Sequence, residues 1–256
     1  MSTTFEPREV EKPFRRRWLR TTFQLVVRCP ARFGLAILLL GCLDTFTVRL
    51  LSGVTVDRVW MIRLGMLMLP LVWVFIAAIA RGADDASQTW KAFAGLAYFK
   101  VWMSALVVGV GLIALHWVIW WLMGVTALRG SALLPGQLLE FTGTQAWMVS
   151  AAAGICYFPL LVLQPTLSLA ESRRLSRDAN DINGRQTLSW LMVGMIGVLA
   201  VFGVFVPAFG MTTAAWIVFM GVLNYVAYRD IFERRSANLP KTVATASAVV
   251  VAHAAK

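Results

Sequence analysis

Six long apolar stretches are the feature that most constrains how this chain can fold. They lie at about 33–51, 60–80, 101–123, 146–169, 188–206 and 211–228. Each is close to the roughly 20 residues that a helix needs to cross a bilayer core. Their apolar residues are continuous and do not alternate, which favours helices over half-buried strands. Because only 14% of the residues are charged, the sequence predicts an all-α fold, a six-helix transmembrane bundle.

The basic residues are distributed unevenly between the two sides of these stretches. Twenty of the 24 Lys and Arg residues lie in the N-terminal segment, the loops around 81–100 and 171–187, and the C-terminal segment. The other side has only Arg49, Arg58, Arg63 and Arg129. Since cytoplasmic segments of membrane proteins are enriched in Lys and Arg, we expect both termini to be cytoplasmic. This anchoring role accounts for the net charge of +11, and we expect no nucleic-acid partner.

Residues 14–29 predict an amphipathic helix that lies in the headgroup plane of the bilayer and ends at Pro30. One face of this helix carries Phe14, Trp18, Thr22, Leu25, Val26 and Cys29. The other face carries Arg15, Arg16, Arg17, Arg20, Gln24 and Arg28. We expect anionic headgroups to contact Arg15, Arg16, Arg17 and Arg20. The alternative is a basic segment that binds a partner or a nucleic acid. Trp and Phe opposite Arg are already accounted for by a membrane interface.

The chain divides into three regions on this interpretation. Residues 1–32 form a cytoplasmic tail, flexible up to residue 13, together with the interfacial helix. Residues 33–228 form the six-helix domain. Residues 229–256 form a cytoplasmic tail, which we expect to be disordered or loosely bound to the surface. Its apolar run of about 14 residues is too short for a seventh span.

Asp44 is the first candidate for a functional residue, because an unpaired carboxylate inside a span is energetically costly. Its candidate partners are Arg49 and Arg63, which lie toward the outer ends of the first two spans. A structural Asp–Arg pair would join these two helices. The alternative is an ion or proton site, in which Asp44 would change its charge during transport.

Three further polar residues lie within predicted spans. His116 precedes a cluster of Trp residues that is typical of a membrane interface, which favours a hydrogen-bonding role over a proton relay. Gln164 and Asn224 are of the kind that links helices by hydrogen bonds. Pro159 and Pro165 predict either a kink or a break that exposes backbone carbonyls in the fourth span.

The remaining residues give no catalytic or metal-binding pattern. Nucleotide-binding, hydrolase and metalloprotease motifs are absent from the sequence. The three cysteines, Cys29, Cys42 and Cys156, form no CxxC pair, and the second histidine, His253, lies far from His116. The acids of the basic loops, among them Asp84, Asp85 and Glu171, are interpreted as solvated loop charge. We expect no enzymatic activity, no cofactor and no metal site.

Two stretches resemble the YciC-like group of uncharacterised bacterial six-span inner-membrane proteins. The first is RRRWLRTTFQLVVRCPARFGLAILLL at 15–40, and the second is NYVAYRDIF at 224–232. A weaker likeness is LSRDANDIN at 175–183, similar to a short cytoplasmic helix of such proteins. The resemblance implies a six-helix membrane fold in the bacterial inner membrane. It implies no activity.

These observations together predict a non-enzymatic integral membrane protein with a structural or accessory role, in a membrane complex or in envelope homeostasis. Other membrane proteins are then its expected partners. The alternative is a transporter of small solutes or lipids with a site near Asp44. A transporter requires its polar residues to meet in one cavity, whereas an accessory protein does not.

Overall fold

The computed structural model describes residues 6–10, 13–52, 58–123, 156–184 and 210–233. The helices in chain order are α1 (Phe14–Arg28), α2 (Pro30–Ser52), α3 (Arg58–Asp84), α4 (Thr89–Gly95), α5 (Phe99–Met123), α6 (Tyr157–Leu163), α7 (169–184) and α8 (Gly210–Tyr228). A 3₁₀ turn at Ala86–Gln88 precedes α4, and a π-helical turn at Arg229–Glu233 continues α8. The described residues contain no strand, so the all-α prediction is confirmed.

Four predicted spans coincide with helices α2, α3, α5 and α8 to within a few residues. The fifth, at 188–206, lies outside the described residues. Within the described residues, no single helix has the length and apolar character needed to cross a membrane. Two pairs of consecutive helical segments have that length and apolar character when taken together, but each pair is bent. They are Arg16–Arg28 with Pro30–Cys42, bent by 91°, and Ala86–Gly95 with Phe99–Gly111, bent by 69°.

Helix α3 is the centre of the packing. It contacts α5, α6, α8 and α4, while α2 packs mainly against α8. The core between α3 and α6 includes Trp73 and Phe158, whose rings meet edge to face at 5.5 Å. Such an arrangement of aromatic rings adds to the stabilisation that comes from burying their apolar area.

One end of the bundle collects several helix termini. Helices α3, α6 and α8 end there, while α2 and α5 begin there. The ammonium group of Lys100, at the start of α5, donates hydrogen bonds to the carbonyls of Pro165 and Leu167, just after α6. Arg81, in the last turn of α3, pairs with Glu233, just after α8. We call this the basic end of the bundle.

The fourth predicted span ends earlier than the sequence analysis placed it. Helix α6 ends at Leu163 and not at residue 169, and Pro165 lies in the turn that follows. Pro159 lies near the start of α6, where a missing N–H is tolerated. Of the two prolines, Pro159 continues the helix and Pro165 lies where it is broken. Lys100 satisfies two of the carbonyls in this break, so they are not open for an ion.

The apolar face of α1, a helix predicted to lie in the headgroup plane, packs on other helices of the protein. Phe14, Trp18 and Leu25 are buried, and α1 contacts α8. The predicted helix bounds are confirmed, since α1 ends at Arg28 and Pro30 starts the next helix. The opposite face of α1 exposes a second apolar stripe, formed by Leu19, Phe23 and Val27.

The close contact between α4 and α6 provides a test of this packing. A Cβ atom on Gly95 would overlap the backbone carbonyl of Val162, whereas one on Gly111 would meet nothing within 4 Å. We expect Gly95→Ala to lower the free energy of unfolding by about 1–3 kcal/mol, since backbone must shift. Thermal unfolding in detergent measures this effect, with Gly111→Ala as the control. Equal unfolding midpoints for the two variants would contradict the packing described.

Candidate functional site

The carboxylate of Asp230 is the most connected acidic group at the basic end. Asp230 lies in the π-helical turn after α8 and is only 4% exposed. Its Oδ2 accepts hydrogen bonds from Arg17 Nη2 at 2.5 Å and from Trp18 Nε1 at 2.8 Å. Its Oδ1 accepts one from Arg8 Nη2 at 3.1 Å. A buried carboxylate is tolerated only with such compensation, so the three donors are what permits its burial.

The N-terminal segment 6–10 is held between the end of α8 and helix α7. Arg8 Nε donates to the backbone carbonyl of Asp230 at 2.5 Å, and the Arg8 amide donates to the carbonyl of Ile231 at 3.2 Å. On the other side, the amide of Val10 donates to Asn183 Oδ1 at 3.0 Å, and Asn183 Nδ2 donates to the carbonyl of Arg8 at 3.1 Å. The prediction of a flexible tail is therefore wrong for these residues.

Two ion pairs join the end of α3 to the end of α8. Arg229 pairs with Asp84, and Arg81 pairs with Glu233. The hydroxyl of Tyr225 also donates to Asp84 Oδ2, at 2.8 Å. The interpretation of Asp84 as solvated loop charge is therefore wrong, because its side chain is only 18% exposed. Paired carboxylates and guanidiniums fix the relative height of the two helices.

Two exposed acids of the basic end, by contrast, cap local turns. The carboxylate of Asp85 accepts hydrogen bonds from the hydroxyl and the amide of Ser87, and both bonds lower the pKa of Asp85. Glu171 accepts from the amide of Ser168 at 2.8 Å, while Ser168 Oγ accepts from the amide of Glu171. This reciprocal cap at the start of α7 lowers the pKa of Glu171.

Four of the predicted site residues lie far from the basic end. The backbones of Asp44 and Arg49 are in α2, that of Arg63 in α3 and that of His116 in α5, while their side chains lie outside the described part of the chain. With a rise of 1.5 Å per helical residue, Asp44 lies about 21 Å along α2 from its start, and His116 about 26 Å along α5.

The other two predicted residues, Gln164 and Asn224, lie close to the basic end. Gln164 Nε2 donates to the hydroxyl of Tyr228 at 3.2 Å, which joins the end of α6 to the end of α8. Asn224 is buried one turn before Tyr228, and its Oδ1 has no hydrogen-bond partner among the described residues. Two of the six predicted residues therefore lie near the basic end, and the other four lie farther along the bundle. The structure does not bring them together at one site.

One arginine predicted to contact headgroups has a different role. Arg17 pairs with the buried Asp230, so its guanidinium is directed into the protein. Arg16 and Arg20 are exposed, as a contact with headgroups requires, while the side chain of Arg15 lies outside the described residues. Within the arginine-rich sequence 15–17, Arg17 therefore pairs with a buried acid, whereas Arg16 is exposed on the surface.

The sequence analysis did not identify Arg8, Trp18 or Asp230 as site residues. Of these three, Asp230 lies in the second stretch of the resemblance, at 224–232, which could have drawn attention to it. In that stretch Tyr225, Tyr228 and Asp230 form hydrogen bonds with residues distant in the sequence. That stretch also extends the ordered helix beyond residue 228, where the sequence analysis ended the helical domain. Residues 229–233 are helical, and Asp230, Ile231 and Phe232 are buried.

The basic end is suited to holding helices together and to attracting anions. Three carboxylates, from Asp84, Asp230 and Glu233, are matched by four guanidiniums, from Arg8, Arg17, Arg81 and Arg229. The described residues include no group of three or more His, Cys, Asp or Glu that is arranged to hold a metal ion. The chemistry that the described side chains offer is electrostatic pairing.

The burial of Asp230 generates a prediction about stability. We expect Asp230→Asn to lower the free energy of unfolding by about 3 kcal/mol, because Arg8 and Arg17 lose their shared counter-charge. The control is Asp181→Asn, which removes one negative charge from an exposed position on α7. Chemical unfolding in detergent, followed by Trp fluorescence, measures both variants. A change for Asp230→Asn no larger than that for Asp181→Asn would contradict this account.

Comparison of the chain with models of protein families, with curated proteins and with solved structures gives no match. The function must therefore be argued from the chain's own residues. Two observations are available for that argument: the exposed apolar faces of the long helices and the charged cluster at the basic end. The resemblance to YciC-like proteins at 15–40 and 224–232 stays a prediction.

Proposed function

We propose that this chain is a non-enzymatic integral protein of the bacterial inner membrane. It crosses the bilayer six times, with both termini and the basic end in the cytoplasm. Its role is structural or accessory, in a membrane complex or in envelope homeostasis. The bacterial origin in this proposal is supported by the resemblance to YciC-like proteins.

The observation that carries the proposal is the apolar character of the outward faces of α2 and α5. The exposed side chains there include Leu35, Leu38, Leu39, Met103, Leu106, Val107, Val110, Trp117 and Val118. Soluble monomers rarely expose large apolar patches. In a bilayer the same faces meet hydrocarbon, and the backbone is satisfied within each helix.

The bend between α1 and α2 also supports a membrane location. The two helices meet at 91°. This is the geometry of one helix that lies along a bilayer surface and a second that enters the bilayer. The exposed face of α1 mixes Arg16 and Arg20 with Phe23 and Val27, which is typical of a helix at the headgroup level.

An accessory role is favoured over transport by the separation of the polar residues. Gln164 and Asn224 lie near the basic end, whereas Asp44 and His116 lie about 20 Å or more along their helices. A transport site near the midplane needs convergent polar groups. The break at Pro165, which resembles the discontinuous helices of transporters, has Lys100 on two of its carbonyls.

The proposed topology is tested by cysteine labelling. In a background with Cys29, Cys42 and Cys156 replaced by Ser, single cysteines are introduced as Asp181→Cys and Gly130→Cys. Asp181 is exposed on α7 at the basic end. We expect a membrane-impermeant maleimide to label position 130 in intact cells and position 181 only after lysis. Labelling of 181 but not 130 in intact cells would overturn the topology.

Asp44 distinguishes the accessory role from transport. If Asp44 pairs with Arg49 or Arg63, Asp44→Asn lowers the folded yield, because an arginine inside the bilayer loses its counter-charge. Exchanging the two charged residues then partly restores the yield, measured by size-exclusion chromatography in detergent. A stable Asp44→Asn protein that loses a measurable flux after reconstitution would favour the transporter instead. Co-purification with a second membrane protein in constant ratio would identify the complex.

A further inference from the structure

We propose that a cleft between α1 and the ends of α3 and α8 binds one acidic phospholipid through its phosphate group. The cleft has a volume of ≈ 570 Å³. Helix α1 lines it with Gln24, Arg28 and the apolar side chains of Phe23 and Val27, while Asp84 and Arg229 line it from the helix ends. This inference rests on the proposed membrane location.

The charges of the cleft favour an anion. Arg229 and Asp84 pair with each other, so their charges cancel. Arg28 adds a third charge and forms no ion pair with any acid in the described residues. The cleft therefore keeps one net positive charge, with two guanidinium groups in its lining. Guanidinium groups match the oxygens of a phosphate in geometry as well as in charge.

The apolar lining indicates that this anion carries a hydrocarbon chain. Phe23 is 64% exposed and Val27 is 57% exposed, and they lie one turn apart on the same face of α1. An inorganic phosphate ion would occupy the guanidinium groups and leave both side chains in water. A phospholipid covers them with its glycerol and acyl groups, and this burial adds to its affinity.

The position of the cleft in the fold also suits a lipid. Arg28 is the last residue of α1, directly before the 91° bend into α2. Beyond the bend, α2 exposes Leu35, Leu38 and Leu39, which belong to the proposed lipid-facing surface. A phosphate bound at Arg28 therefore lies where the headgroup level meets the acyl chains. This is the depth at which a membrane holds its own phosphates.

The test compares two exposed arginines, Arg28 in the cleft and Arg177 on α7 outside it. Protein purified in detergent is titrated with phosphatidylglycerol, with phosphatidylcholine and with inorganic phosphate, and bound lipids are counted by native mass spectrometry. We expect wild type to bind one phosphatidylglycerol more tightly than phosphatidylcholine. Arg28→Gln should bind about tenfold more weakly, as the loss of a charge-assisted hydrogen bond implies. Arg177→Gln, which removes the same charge from an exposed position on α7 outside the cleft, should bind as wild type does.

A second pair of matched variants tests the apolar part of the cleft. Val27→Ser should weaken phosphatidylglycerol binding, whereas Leu19→Ser, on the same face but outside the cleft, should not. Arg28→Lys keeps the charge and should retain part of the affinity. Unchanged unfolding midpoints without lipid show that each variant is folded, and Arg28→Lys takes the place of Arg28→Gln if the latter fails this check.

The possible outcomes distinguish a failure of the proposed lipid site from a failure of the proposed membrane location. Equal losses for Arg28→Gln and Arg177→Gln would overturn the site, since they indicate diffuse attraction of anionic lipid. Inorganic phosphate that binds alone with the same dependence on Arg28 would overturn the choice of a lipid. Either result, with wild-type protein that resists alkaline extraction from membranes, leaves the membrane proposal intact. Extraction of the wild type by alkali would overturn both proposals.

Discussion

The burial of the Asp230 carboxylate is the interaction on which the basic end depends. A carboxylate that is removed from water loses several kcal/mol of hydration unless donors replace it. Here the donors are Arg8, Arg17 and Trp18, each more than 200 residues away in the chain. The N-terminal segment and α1 must therefore dock on the end of α8 for Asp230 to be satisfied. One acidic side chain thus holds both Arg8 of the N-terminal segment and helix α1 against the end of α8.

The other polar contacts of the basic end follow from the same constraint. Arg229 with Asp84 and Arg81 with Glu233 set α3 and α8 at one height, and Lys100 joins α5 to the break after α6. The polar groups of these helix ends are matched with each other. The long helices are left with apolar outer faces, which is the division expected of a bundle embedded in lipid with one charged end in water.

Two uses of arginine follow from this arrangement. Arg8, Arg17, Arg81 and Arg229 are engaged with acids of the protein, so they act as structural residues. Arg16, Arg20 and Arg28 are exposed on α1 and carry the positive charge that remains for other molecules. The proposed lipid cleft joins the two groups, because Arg229 contributes to it while paired with Asp84. An accessory protein with such a cleft would hold a lipid at the boundary of its bundle.

The sequence by itself determined the all-helical fold, the bounds of α1, α2, α3, α5 and α8, and the concentration of charge at one end. These properties follow from apolar length, from proline and from local composition, which act over short distances along the chain. The tertiary structure decided what the apolar face of α1 packs against, since Phe14, Trp18 and Leu25 are buried on other helices of the protein. It also decided that Arg17 pairs with Asp230 and that Asp84 is enclosed. Ion pairs form between residues that are distant in the sequence, so no local pattern could distinguish an arginine paired with a buried acid from one exposed on the surface.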